Sequence, residues 1–124
     1  MIAADTSVLI DYFQGKESPQ TIRLDEILTS HALILPPPVL VEILSDSLLP
    51  KKFIEKMIEL PILKPTEGFW VRAGLNRAKL ISKKLKARLA DTLIAQSCID
   101  YKIPLITNDS DFRHFVKYCG LILL

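Results

Sequence analysis

Five carboxylates stand out in this chain because of where they fall. Asp5 ends the apolar run Met1-Ile-Ala-Ala and is followed at once by Thr6 and Ser7. Glu42 lies inside Val39-Leu-Val-Glu42-Ile-Leu44, where every near neighbour is apolar. Asp91 interrupts Leu89-Ala-Asp91-Thr-Leu-Ile-Ala95, and Asp109 and Asp111 follow Leu105-Ile-Thr107-Asn108. A desolvated carboxylate is costly, so each of these acids needs a partner, a capping role or a polar cavity. Each also has a local explanation. Asp5 can cap a helix, a role Thr6 and Ser7 could fill instead; Glu42 can lie on a polar stripe with Ser45 and Asp46. Asp91 can serve a first helical turn, and Asn108 to Asp111 can form an Asx turn.

If the fold gathers these acids, their repulsion raises their proton affinity unless a cation intervenes. All-oxygen sites suit hard divalent ions such as Mg²⁺ or Mn²⁺. A carboxylate-bound metal pair can activate water and stabilise the leaving oxygen of a phosphodiester, which is hydrolase chemistry on phosphate. Zinc does not fit. His31 and His114 are isolated and read as structural or surface residues, while Cys98 and Cys119 form no C-x-x-C pair and read as buried free thiols.

The elements that would position these acids alternate in type. Met1 to Ala4 reads as a buried strand delivering Asp5 into a strand-to-helix turn, with helices expected over 8–13 and 20–28. His31 to Leu35 reads as a second strand, and a helix starts near Pro38, since proline is tolerated in a first turn. Pro50 opens a helix to Leu60 whose solvated face carries Lys51, Lys52, Glu55, Lys56 and Glu59. Residues 61–64 are a brief strand candidate. A helix over 66–84 is expected to bury Trp70, Ala73, Leu75, Ala78 and Ile81. Residues 88–101 form a helix apolar nearly all round, hence central. Then come a strand over 103–107, a helix over 111–118 and a last strand over 121–124. Such alternation implies an α/β fold with a mostly parallel central sheet flanked by helices, and the carboxyl ends of such strands are where ligands bind.

The chain's 124 residues, 49% of them hydrophobic and 24% charged, are the size and make-up of one domain (1–124) with its own core. A net charge of +2 gives no global argument for nucleic acid, so any basic signal must be local. One exists: between Glu67 and Asp91 there is no acid but seven basic residues, Arg72, Arg77, Lys79, Lys83, Lys84, Lys86 and Arg88. Just ahead of Asp91, Lys83, Lys84, Lys86 and Arg88 are candidates to hold the phosphates of a nucleic acid. Base stacking is not expected, because Trp70 reads as core. The prolines at 36–38 and Glu42 break the best membrane-span candidate, and Asp5 falls where a signal peptide should be apolar. A cytoplasmic location is expected.

These residues resemble the PIN domain, specifically the small VapC-type toxins of toxin–antitoxin pairs. The likeness rests on four motifs in order: Asp5-Thr-Ser-Val-Leu-Ile-Asp11-Tyr, Val39-Leu-Val-Glu42-Ile-Leu, Arg88-Leu-Ala-Asp91-Thr-Leu-Ile-Ala95 and Leu105-Ile-Thr107-Asn108-Asp109-Ser-Asp111-Phe112. It implies a PIN-like three-layer sandwich and a Mg²⁺-dependent endoribonuclease. By that resemblance Asp5, Glu42 and Asp91 are the core metal-binding acids. Asp109 is favoured over Asp111 as the fourth, and Thr6 and Thr107 are supporting hydroxyls. The segment Lys83 to Arg88 lacks the glycine that relatives often carry there. The resemblance further implies a homodimer and a small antitoxin partner covering the site. Two rival functions remain: a PIN-like RNA-binding module without catalysis, and a receiver-like phosphoacceptor domain. The second lacks its expected lysine, since the late strand runs into Thr107-Asn-Asp.

Overall fold

A computed structural model describes residues 1–124. Three short parallel strands, β1 (Ile2–Ala4), β2 (Leu33–Ile34) and β3 (Leu105–Ile106), form a sheet in the order β2-β1-β3. Ile2 pairs with Leu33 and Ala3 with Ile34 on one side, and Ala4 with Ile106 on the other. The expected outer strands shrink to single parallel bridges, Leu35 with Ile62 and Leu105 with Leu123. The strand expected from His31 starts at Leu33. His31 itself takes a left-handed turn (φ 55°) out of the preceding helix.

The helices fall into two groups. Between β1 and β2 run α1 (Thr6–Phe13) and α2 (Pro19–Thr29), and after β2 come α3 (Pro37–Ser45) and α4 (Lys51–Ile58). Then follow α5 (Phe69–Ser82), α6 (Leu89–Tyr101), and, past β3, a short 3-10 turn (Ser110–Phe112) and α7 (Arg113–Cys119). Crossovers from β1 to β2 to Ile62, of the right-handed kind usual for parallel strands, run one way across the sheet. Those from Ile62 to β3 to Leu123 run the other, so the two helix groups cover opposite faces. The result is the expected α/β three-layer arrangement.

Local chemistry sets the helix starts. Ser18 and Thr21 form a reciprocal capping box with Pro19 in the first turn, and Pro37 and Pro38 occupy the first turn of α3. The core joins Ala3, Ala4, Val8, Leu9, Leu33, Ile94, Ala95, Leu105, Ile106 and Phe112, all essentially without solvent exposure. Helix α6 is central as expected, burying Thr92, Ile94, Ala95, Gln96, Ser97 and Cys98. On α5 Ala73 is buried as expected, but the rest of the expected face is not. Phe69, Ala73 and Leu80 point inward, whereas Trp70 and Leu75 are each 66% exposed, and Ala78 and Ile81 also face outward. Cys98 is buried and Cys119 half-buried, both as free thiols. No helix is long and apolar enough to cross a membrane.

One polar cluster fastens α5 to α6. Arg72 donates from Nε to Asp100 Oδ1 (3.0 Å) and from Nη2 to Asp100 Oδ2 (2.7 Å), while Gln96 Nε2 donates to Asp100 Oδ1 (2.8 Å). Burial alone would raise the Asp100 carboxyl, but the hydrogen bonds from Arg72 and Gln96 outweigh it and hold the group below its ordinary value. Substituting Asp100→Ala leaves Arg72 and Gln96 without their acceptor. Urea denaturation at pH 7 should show a loss of about 2 kcal/mol, the scale for breaking a partly buried charged hydrogen-bond set.

Candidate metal centre

The site forms where the carboxyl ends of β1 and β3 meet the starts of α1 and α6. Ala4 is fully buried and in register with Ile106, and the Asp5 amide donates to the Ile106 carbonyl (3.1 Å). This fixes Asp5 at the strand end with only 5% of its surface exposed. Its side chain caps α1, and its two oxygens are held by three donors. Oδ1 accepts from the Thr6 amide, while Oδ2 accepts from the Ser7 and Thr107 hydroxyls, all at 2.7 Å. The sequence left open whether Thr6 or Ser7 takes the cap. Asp5 keeps it, and Ser7 serves Asp5.

Thr107 also organises the next acid. Its Oγ1 accepts from the Asp109 amide (3.0 Å), and Asp109 Oδ1 accepts from the Asp111 amide (2.9 Å), capping the 3-10 turn. The Asx-turn explanation of this stretch is therefore true, and it is also what aims the acids. Glu42 reaches in from the exposed side of α3, its Oε1 accepting from the Thr6 hydroxyl (2.8 Å). Asp91 stands in the first turn of α6.

Convergence is visible in Asp91 itself. Its carboxyl is pushed up to about 6, first by burial and then by the negative charges of Asp109, Asp5 and Glu42, with Arg88 pulling the other way. Carboxylate oxygens of Asp91, Asp109 and Asp111 all lie within 4.8 Å of one another. The donor set is entirely oxygen, without His or Cys, and fits a hard divalent cation. Asp91, Asp109 and Asp111 thus form the close cluster, and Asp5 and Glu42 lie outside it but near enough for their charges to act on Asp91.

The four basic candidates separate. Lys86 Nζ lies 3.2 Å from Asp111 Oδ2, at the acids. Lys83 sits over the Tyr118 ring (4.8 Å to the centroid), on the α7 side. Lys84 occupies an exposed left-handed turn (φ 60°), and Arg88 is exposed at the N-cap of α6. From the sequence, Asn108 figures only in an Asx turn and Asp11 only within a motif, and nothing links the two. The Asn108 amide donates to Ser7 Oγ (3.2 Å) and its Nδ2 to Asp11 Oδ2 (2.7 Å), clamping the loop after β3 onto α1.

Residues 2–118 match the family model described as PIN domain. Among solved structures, VapBC2 from Rickettsia felis bound to a promoter DNA fragment shares 20% identity with a TM-score of 0.74, covering all of this chain and 98% of that one. VapBC from Salmonella typhimurium bound to DNA shares 22% with a TM-score of 0.76 over the same shares of the two chains. FitAB bound to an IR36 DNA fragment shares 18% with a TM-score of 0.72, covering all of this chain and 94% of that one. At these identities the likeness is one of fold. No curated protein sequence matches the chain.

The raised carboxyl of Asp91 has a consequence for stability. Between its unfolded value near 4 and its folded value near 6, the native state holds a proton that the unfolded chain has released. Stability from this group is therefore fully present below pH 4 and is lost as pH rises through about 6. In EDTA, Asp91→Asn should melt above the wild type at pH 7.5 by differential scanning calorimetry. The gap should close as the pH is lowered to 4.

Proposed function

The chain belongs to the PIN domain family, and on that premise we propose that it is a single-domain, Mg²⁺-dependent endoribonuclease of the cytoplasm, the toxin of a type II toxin–antitoxin pair. PIN domains are generally nucleases that use divalent metals. The observation that carries the reading is geometric: carboxylate oxygens of Asp91, Asp109 and Asp111 lie within 4.8 Å of one another, and burial, then the charges of Asp109, Asp5 and Glu42, push the Asp91 carboxyl up to about 6. Carboxylates facing a polyanion only weaken RNA binding, so a purely RNA-binding module has no use for them.

In this reading Asp5, Glu42, Asp91 and Asp109 are the metal-holding acids, with Asp111 beside them. A bound Mg²⁺ or Mn²⁺ supplies the positive charge that activates water and stabilises the leaving oxygen of the phosphodiester. The protein's own part is orientation. Asp5 is fixed by three donors and Glu42 by Thr6, so neither carboxylate has to be ordered when substrate arrives. Thr6 and Thr107 are positioning residues. Lys83, Lys84 and Arg88 precede Asp91 in sequence, and their positive charge is assigned the role of offsetting the repulsion between RNA and the acids, Lys83 from the α7 side. Lys86 belongs to the same basic segment but touches the acids directly.

Two partners belong to the proposal. The solved neighbours are complexes of the VapBC and FitAB kind on DNA, and this chain is assigned a cognate antitoxin by that analogy. A homodimer is proposed by the family resemblance, and the surface assigned to it is the shallow apolar groove between α3 and α6, where Val41 and Leu89 are exposed. It is lined by Pro37, Pro38, Val41, Leu89 and Leu93 and bordered by Glu42.

End-labelled tRNA and an unstructured RNA, incubated with protein and Mg²⁺, Mn²⁺ or EDTA, test the activity. Asp5→Asn retains a helix-capping side chain, so it should fold normally while losing more than about 100-fold in cleavage. Thr107→Val should lose roughly 10–100-fold, the usual cost of removing an outer-shell partner. RNA binding with no cleavage under any metal would favour the inactive module instead. For the dimer, Leu89→Glu should sediment as a monomer where the wild type sediments as a dimer.

A further inference from the structure

Lys86 differs from Lys83, Lys84 and Arg88 in pairing directly with one of the clustered acids. Helix α5 ends in a tight turn in which the Lys84 and Leu85 amides donate to Ile81 and Leu80, with Lys84 left-handed at φ 60°. Beyond it, the Arg77 guanidinium reaches across to the Ala87 carbonyl (2.8 Å), and Ala87 is buried at 7% exposure. With Leu85 half-buried and Ala87 inward, the residue between them points out. Its ammonium meets Asp111 Oδ2 at 3.2 Å, on the oxygen cluster formed with Asp91 and Asp109.

From this geometry we infer that Lys86 is a built-in cation of the site, occupying the Asp111 side of the cluster in place of a second divalent ion. The inference rests on reading the acids as a divalent-metal site and deepens it. Asp5, Glu42, Asp91 and Asp109 then hold one ion, while Asp111 holds the lysine. A fixed ammonium beside that ion supplies a second positive charge close to where a substrate phosphate must sit. It does so without needing a second ion to be captured from solution. The same charge weakens the site's pull on additional divalent cations, because like charges a few ångströms apart repel strongly where solvent is partly excluded.

The test is Mn²⁺ titration by isothermal calorimetry on the full chain, without RNA and at low ionic strength. The wild type should take up one Mn²⁺ per chain. Lys86→Met should take up two, or one that binds about tenfold more tightly, the effect of removing one partly screened charge at close range. Lys86→Arg, which keeps the charge, should restore the wild-type isotherm. Lys86 is half exposed (51%), and circular dichroism checks that each variant folds. Two ions in the wild type, or an unchanged isotherm in Lys86→Met, overturns the inference while leaving the metal site standing. An unchanged isotherm with reduced RNA affinity assigns Lys86 to substrate alone. No Mn²⁺ uptake by the wild type overturns the metal-site reading itself, and this one with it.

Discussion

Mutual repulsion among carboxylates is the constraint this structure is arranged around. Five acids converge on the carboxyl end of a three-stranded sheet, and burial together with the charges of Asp109, Asp5 and Glu42 pushes the Asp91 carboxyl up to about 6. A protein under no functional demand has no reason to keep such an arrangement, since each acid could be replaced by a neutral residue that packs or caps as well. The fold sustains it with directed hydrogen bonds. The Asp5 carboxylate receives three donors, Asp109 receives an amide, and Glu42 receives a hydroxyl. Each such bond to a charged acceptor offsets part of the cost of holding negative charge at close range.

Thr107 carries much of that burden. Through one oxygen it donates to Asp5 and accepts from the Asp109 amide, tying together two acids that follow neighbouring strands. The sheet is minimal, yet the register of Ala4 against Ile106 is enough to bring these residues side by side. Helices on the two faces then bring in the other acids, Glu42 from α3 and Asp91 from α6. Sheet and helices are thus less a container than a jig.

Much of this was legible in the sequence because the relevant signals are local. A carboxylate at the end of an apolar run marks a strand end, and an acid on a helix otherwise apolar all round has few places to point. Hence Asp5, Asp91 and the pair after β3 could be picked out before their convergence was seen. What stayed hidden depended on choosing between equivalent faces or on distant pairing. On α5, two apolar stripes share the same helical period: Phe69, Ala73 and Leu80 on one, Trp70, Ala78 and Ile81 on the other. Periodicity cannot say which faces the core. The outer strands thinned to single bridges because a four-residue apolar run is compatible with either outcome. Nothing local links Lys86 to Asp111, and nothing local distinguishes it from Lys83 and Lys84 in the same basic stretch.

The most direct test of the central claim is a crystal grown or soaked with Mn²⁺ and measured for anomalous scattering at the manganese edge. The account predicts a strong peak bounded by the carboxylates of Asp5, Asp91 and Asp109, and its loss in Asp91→Asn crystals of the same form. A well-diffracting crystal at saturating Mn²⁺ with no peak among these acids would contradict it, leaving their convergence to be explained without a metal.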